Sequence, residues 1–219
     1  GLGQLWATTG GDPLVQLDAE TGQILERFGD GVNLGLAADG ENDRLFVSTS
    51  DGVEVFDTVT HTWDVFSSTR VNGLGLSNEG ELWGVSWPDD GHVVRFNRVG
   101  NAEVVASFDD PATGIAFGAA GTPLEGLGFV THATGGELTM IDLVTFQSAD
   151  IAIGGGRGQF LHTDAAGRLY VAGADQVDVI QPITNPRIVD GPEDGALLDP
   201  RLTSLTVSFD IDMAHASAL

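Results

Sequence analysis

The sequence predicts an all-β chain, a β-propeller of four-stranded antiparallel blades. Three observations carry that expectation: a repeat of about forty residues, strand-sized apolar segments inside each repeat, and no stretch that keeps a helical period for more than about two turns. Short strands repeated radially are how a propeller blade is built.

The most regular copies carry the two outer strands of each blade. LVQLDAETGQILERF (14–28) matches VEVFDTVTHTWDVF (53–66), VVRFNRVGNAEVVASF (93–108), LTMIDLVTFQSADIAI (138–153) and VDVIQPITNPRIVD (177–190). The aligned positions Asp18, Asp57, Asn97, Asp142 and Gln181 lie 39, 40, 45 and 39 residues apart. Between the two strands falls a cluster such as DAETG, whose Asp, Thr and Gly suit a tight turn: Asp and Thr bond back to nearby backbone, and Gly takes a left-handed conformation. A second apolar segment runs ahead of each copy: QLWATT (4–9), RLFVSTS (44–50), ELWGVSW (81–87), GLGFVTH (126–132) and RLYVAG (168–173). A third precedes that one in four repeats: VNLGLAADG (32–40), VNGLGLSNEG (71–80), ATGIAFGAAG (112–121) and GQFLHTDAAG (158–167). All are rich in Val, Leu, Phe and Trp and bounded by Gly, Asp, Asn or Pro, the composition of strands and their turns.

With strands A to D named from the axis outward, the chain reads B-C-D and then four times A-B-C-D. LTSLTVSF (202–209) would supply the missing first strand A, closing a ring of five blades and removing an exposed sheet edge. The expected organisation is a propeller over 1–209, with blade repeats near 1–30, 31–68, 69–110, 111–154 and 155–190 and a closing strand at 202–209; residues 210–219 form a tail or begin a following module. The alternative is a fragment of a larger propeller, favoured by the long connection DGPEDGALLDPR (190–201) and by TVSFDIDMAHASAL, which also reads as the first strand of an Ig-like module.

RLYVAGADQVDVI and RLFVSTSDGVEVFDTVT resemble YVTN-type propeller repeats, in which an LYV strand is followed by a V-V-I/F-D-x-x-T strand. The resemblance spans nearly the whole chain and, being a repeat consensus, implies fold rather than activity. DAETG is also similar to the repeat of quinone-dependent dehydrogenase propellers. Trp6, Trp63, Trp83 and Trp87 do not recur at one blade position, so a quinone cofactor is not expected.

Composition bounds the partners. Asp and Glu number 32 against nine basic residues, all Arg, for a formal charge of −23. Such a surface repels nucleic acid and anionic lipid, attracts cations, and stays hydrated in high salt. A halophilic or marine source, or an extracellular setting rich in Ca²⁺, is expected. There is no Cys, hence neither disulfides nor thiolate metal sites. No apolar run reaches the ~20 residues of a membrane helix. The chain begins with neither Met nor a signal peptide and reads as a monomeric module of a longer extracellular or cell-surface protein.

Blade topology assigns the D-to-A and B-to-C loops to one mouth of the channel, and the candidate site is expected there. Its ligand-binding candidates are Arg70, Asn72, Trp87, Asp89, Asp90, His92, His132 and Arg157. Arg70 and Arg157 could fork a carboxylate or sugar acid, or pair with neighbouring carboxylates. WPDDGH (87–92) offers an aromatic platform for a sugar beside two carboxylates and an imidazole, within a sequence that is also an ordinary turn. Ca²⁺, the one cofactor the residues suggest, would use Asp89, Asp90, Asp109 or Asp110. The five histidines have no zinc spacing, His162 fits a channel-lining position, and no G-x-S-x-G is present. The reading is therefore a non-catalytic module for a protein or carbohydrate ligand, or a scaffold, within an exported prokaryotic protein. The alternative is a metal-dependent lactonase- or lyase-like hydrolase.

Overall fold

The computed structural model describes residues 4–8, 10, 11, 13–29, 31, 33–86, 91–134, 136–152, 160–173 and 176–181, with the backbone of 188–190 and 208–209. The chain divides into two units, Gly1–Gln181 and Pro182–Leu219, whereas the sequence reading sets the boundary after residue 209. In the first unit five antiparallel sheets form a ring, a five-bladed β-propeller.

Blade 1 comprises β1 (Leu5–Ala7), β2 (Leu14–Leu17) and β3 (Ile24–Phe28). Blade 2 is β4 (Asn33–Asp39), β5 (Arg44–Thr49), β6 (Gly52–Asp57) and β7 (Trp63–Ser67). Blade 3 is β8 (Val71–Leu76), β9 (Leu82–Ser86), β10 (His92–Phe96) and β11 (Ala102–Ser107). Blade 4 is β12 (Ala112–Phe117), β13 (Leu127–His132), β14 (Leu138–Asp142) and β15 (Ser148–Ala152), and blade 5 is β16 (Phe160–Thr163), β17 (Leu169–Ala172) and β18 (Val177–Ile180). Within each sheet the strands pair in chain order. The second unit contains β19 (Ile188–Asp190) and β20 (Ser208–Phe209), which pair antiparallel. The described part of the segment expected to close the ring thus bonds to β19, and the described sheet of blade 1 has three strands.

Core packing follows one rule around the ring. In blades 2, 3 and 4 one face carries a small inner-strand residue (Ala37, Gly75 and Ala116) and the aromatic paired with it on the second strand, and that face packs on the next blade. Ala37, Phe46 and Val53 of blade 2 meet Leu74, Leu82, Val94 and Phe96 of blade 3. Trp83, Val85 and Val93 of blade 3 meet Ile115, Phe117, Val130 and Ile141 of blade 4. Ala116, Phe129 and Leu138 of blade 4 meet Leu169, with Leu161 and Val171 beside it. Burying each such side chain contributes roughly 1.5–3 kcal/mol, so the seams between blades hold the ring.

The ladder corrects one expectation. Opposite the residue two before Asp18, Asp57, Asn97, Asp142 and Gln181 stand Trp6, Phe46, Trp83, Phe129 and Tyr170, pairing with Gln16, Val55, Arg95, Met140 and Val179. Trp6 and Trp83 do share one blade position, and it is aromatic in all five blades. In blades 1, 2, 3 and 5 the aromatic follows Leu5, Leu45, Leu82 and Leu169, and in blade 4 Gly128 stands in place of that Leu. The rung holds Trp twice, Phe twice and Tyr once, which is a packing requirement for a flat ring between sheets.

The turn clusters take the role expected of them. Asp18 Oδ1 accepts hydrogen bonds from the Glu20 and Thr21 amides (3.0 and 2.7 Å) and the Thr21 hydroxyl (2.8 Å). Asp57 and Asp142 accept from their own following amides in the same way, and Asn97 does so from Val99 and Asn101. Gly22 has φ of 70°, the left-handed conformation that the turn needs.

Candidate functional site

The inner strands converge on an axial cavity of about 640 Å³. It lies toward the mouth formed by D-to-A and B-to-C loops, because it is lined by the first residues of the inner strands: Leu34, Gly35 and Leu36 of β4, Asn72, Gly73 and Leu74 of β8, Thr113, Gly114 and Ile115 of β12, and Phe160 and Leu161 of β16. Blade 1 adds Thr8 and Gly10. None of these residues is ionisable, although the chain carries a formal −23.

Sequence explains why the strands can come so close. Gly35, Gly73 and Gly114 each sit two residues before the residue that faces the aromatic rung, respectively Ala37, Gly75 and Ala116. A Cβ on Gly35 would overlap the Asn72 carbonyl oxygen, and one on Gly73 would lie 3.0 Å from that of Thr113. At these points the ladder of each inner strand slips, between Asn33 and Leu36, Val71 and Leu74, and Ala112 and Gly114; such bulges re-aim the backbone. Hydroxyls bridge successive blades there. Thr8 donates to the Leu34 carbonyl (2.9 Å). Ser48 accepts from the Gly35 amide (2.6 Å) and donates to the Asn72 carbonyl (2.8 Å).

Blade 5 departs from this pattern. Its ladder runs without a slip, and the position of the glycines is taken by Phe160, two residues before His162, which faces Tyr170. Phe160 is 64% exposed and lines the cavity. The Asn72 carboxamide, half-buried in the cavity wall, makes no hydrogen bond among the described residues.

A second cleft of about 410 Å³ lies beside Phe108, Asp109, Asp110, His132 and Asp150. His132, 2% exposed, has its Nδ1 3.1 Å from the Asp110 carbonyl oxygen and its Nε2 2.9 Å from the Thr139 hydroxyl, which donates to Asp150 (2.8 Å). Its ring stands edge-on to Phe108. The Asp110 carboxylate accepts from the Thr134 amide (3.0 Å) and hydroxyl (2.6 Å). These groups satisfy one another and tie the D-to-A connection onto blade 4. Among the described residues no three of His, Asp and Glu come together to hold a metal ion.

The remaining candidates separate. Asn72 belongs to the axial cavity, while His132, Asp109 and Asp110 belong to the second cleft. His92 Nδ1 lies 2.9 Å from the Ser107 hydroxyl, and its amide donates to Ser86, so it fastens the blade edge. Arg70 is exposed with no ion pair among the described residues, as are Arg27 and Arg98; three other arginines pair with Asp39, Glu103 and Asp164 at 2.8, 3.1 and 2.6 Å. Trp87, Asp89, Asp90 and Arg157 lie outside the described residues. Phe160 and the glycine row are additions that the sequence reading did not name. Their signal was present in LGL, NGL and TGI, followed by QFL where the central glycine gives way to Phe.

Shifted carboxylates fall on turns of the opposite face. The Thr21 amide foremost holds Asp18 below the usual carboxylate range, and the Thr60 and Thr145 amides do the same for Asp57 and Asp142. Asp164 is brought down to about 2, chiefly by the Arg168 amide, with the Arg168 guanidinium and Tyr170 hydroxyl adding to it. Perturbed groups often mark active sites; these are turn caps.

No family model and no curated protein matches the chain. Solved structures do. A chain of a nidogen/laminin complex aligns with a TM-score of 0.66 at 15% identity, over 84% of this chain and 79% of that one. The hydrazine synthase of Kuenenia stuttgartiensis aligns at 0.60 and 14% identity, over 77% of this chain and 51% of that one. The β-propeller domain of Myceliophteria thermophila Cps50 (Swd1) aligns at 0.58 and 17% identity, over 95% and 67%. At these identities the similarity establishes the fold, and the chain is a β-propeller.

Proposed function

We propose that the chain is a non-catalytic binding module that receives its ligand at the axial mouth. The observation that carries this reading is the axial cavity of about 640 Å³, within the 300–1,000 Å³ range of small-molecule sites. Its walls are backbone and uncharged side chains rather than acid–base groups. In the second cleft, by contrast, His132, Asp110 and Asp150 are engaged by the Thr134 and Thr139 hydroxyls. The YVTN-like repeats and the acidic composition support a place within a larger exported prokaryotic protein, at the cell surface or outside it. A salt-rich or Ca²⁺-rich setting fits the same composition. Similarity to a chain of a nidogen/laminin complex adds that propellers of this shape take part in protein assemblies.

The test is a ligand screen on the wild-type chain and on Asn72→Phe, which places a ring in the cavity wall. Ligands found for the wild type are expected to lose at least tenfold in affinity in the variant while its melting temperature stays within a few degrees. Ligands that bind both proteins equally would place recognition elsewhere.

A further inference from the structure

The axial cavity also defines what kind of ligand it takes. Resting on the axial-mouth reading above, we infer that the site binds an uncharged, flat, largely apolar ring, stacked on Phe160 and hydrogen-bonded at its edge to Asn72.

Four observations converge on this. First, no lining residue among the described ones is ionisable, so a charged ligand would lose its hydration with no counter-charge from them. Second, the lining mixes Leu34, Leu36 and Leu161 with glycine backbone, Thr8, Thr113 and Asn72, which suits a ring that carries a polar edge. Third, Phe160 stands where three other blades have glycine, and it is 64% exposed. At Gly35 and Gly73 a Cβ would meet the backbone of the next inner strand. Phe160 therefore offers the cavity an aromatic face where β4, β8 and β12 offer glycine, and an aromatic face prefers a stacked or edge-on partner, worth about 0.5–1.5 kcal/mol beyond area burial. Fourth, the Asn72 carboxamide lines the same cavity with both its donor and its acceptor unused among the described residues, the group that would fix the orientation of a neutral polar edge.

The experiment uses three probes of one shape and different charge: indole, indole-3-acetate and tryptamine, titrated by calorimetry and ligand-observed NMR. Salt of about 1 M suppresses the general attraction of an acidic protein for the cation. Indole is expected to bind saturably and at least tenfold more tightly than either charged analogue. Phe160→Ala is expected to weaken it at least tenfold, Asn72→Leu several-fold, and Arg70→Ala not at all. The exposure of Phe160 keeps the Ala variant folded, which the melting temperature checks. Tighter binding of indole-3-acetate, lost in Arg70→Ala, would overturn the ligand class while leaving the axial-mouth reading intact. Indole binding unchanged by Phe160→Ala would overturn the stacking site. If no probe binds, the ligand class fails; if the Asn72→Phe screen also finds no cavity-dependent ligand, the binding-module reading fails with it.

Discussion

At the scale of single residues, the four-residue turns explain both what was legible and what was misleading. DAETG has the look of a reactive cluster, yet Asp18 spends its carboxylate on the Glu20 and Thr21 amides and the Thr21 hydroxyl. Local chemistry of this kind can be read from sequence, because all partners lie within four residues. It also has a pH signature. Asp57 and Asp142 titrate lower in the fold than the ~3.9 of a free Asp, so the unfolded chain binds more protons in that range. The stabilisation is complete above pH ~4 and is lost as pH falls through the depressed folded values. Asn97 makes the same turn without a titrating group. Asp57→Asn with Asp142→Asn is therefore expected to keep the turns and to flatten the decline in melting temperature between about pH 4 and pH 2. Asp57→Ala should lower the melting temperature at neutral pH. Equal acid sensitivity in the Asn variant and the wild type would show that other carboxylates govern the decline.

At the scale of strands, type and order were legible because apolar segments and turn residues alternate at a fixed period. The aromatic rung was harder to read because its residue changes between Trp, Phe and Tyr and because Gly128 replaces the preceding Leu in β13; the ladder shows that Trp83 and Phe129 occupy the place of Phe46. The inner-strand glycines were visible but unassigned, since their reason is a neighbour some forty residues away. Gly35 faces the backbone of Asn72 and Gly73 in the next blade. Gly35→Ala is expected to cost about 1–3 kcal/mol through overpacking against a carbonyl that cannot retreat. Gly40, where a Cβ would meet nothing within 4 Å, is the control: Gly40→Ala should be neutral or slightly stabilising, by about 0.4–1 kcal/mol. Chemical denaturation of the two variants separates close strand approach from the general effect of losing a glycine.

At the scale of the whole ring, blades 2 to 5 and most of blade 1 follow from the repeat, while the site does not. Propeller ligands are met by residues from several blades, and the sequence presents those residues scattered between Thr8 and Leu161. Charge drew the sequence reading toward Arg70, Asp109, Asp110 and His132. The structure puts the last three in a cleft of interlocked hydrogen bonds and leaves the axis to uncharged residues. With no charge among its described lining residues, the cavity offers no counter-charge from them to a charged ligand, in keeping with the neutral ligand proposed above. The direct test is amide chemical-shift mapping on adding indole to the intact chain. The shifts are expected to concentrate at Gly35, Asn72, Gly73, Thr113 and Gly114, on three blades at once. Shifts gathered instead around Asp110, His132 and Thr139, or spread evenly over the surface, would contradict the axial site.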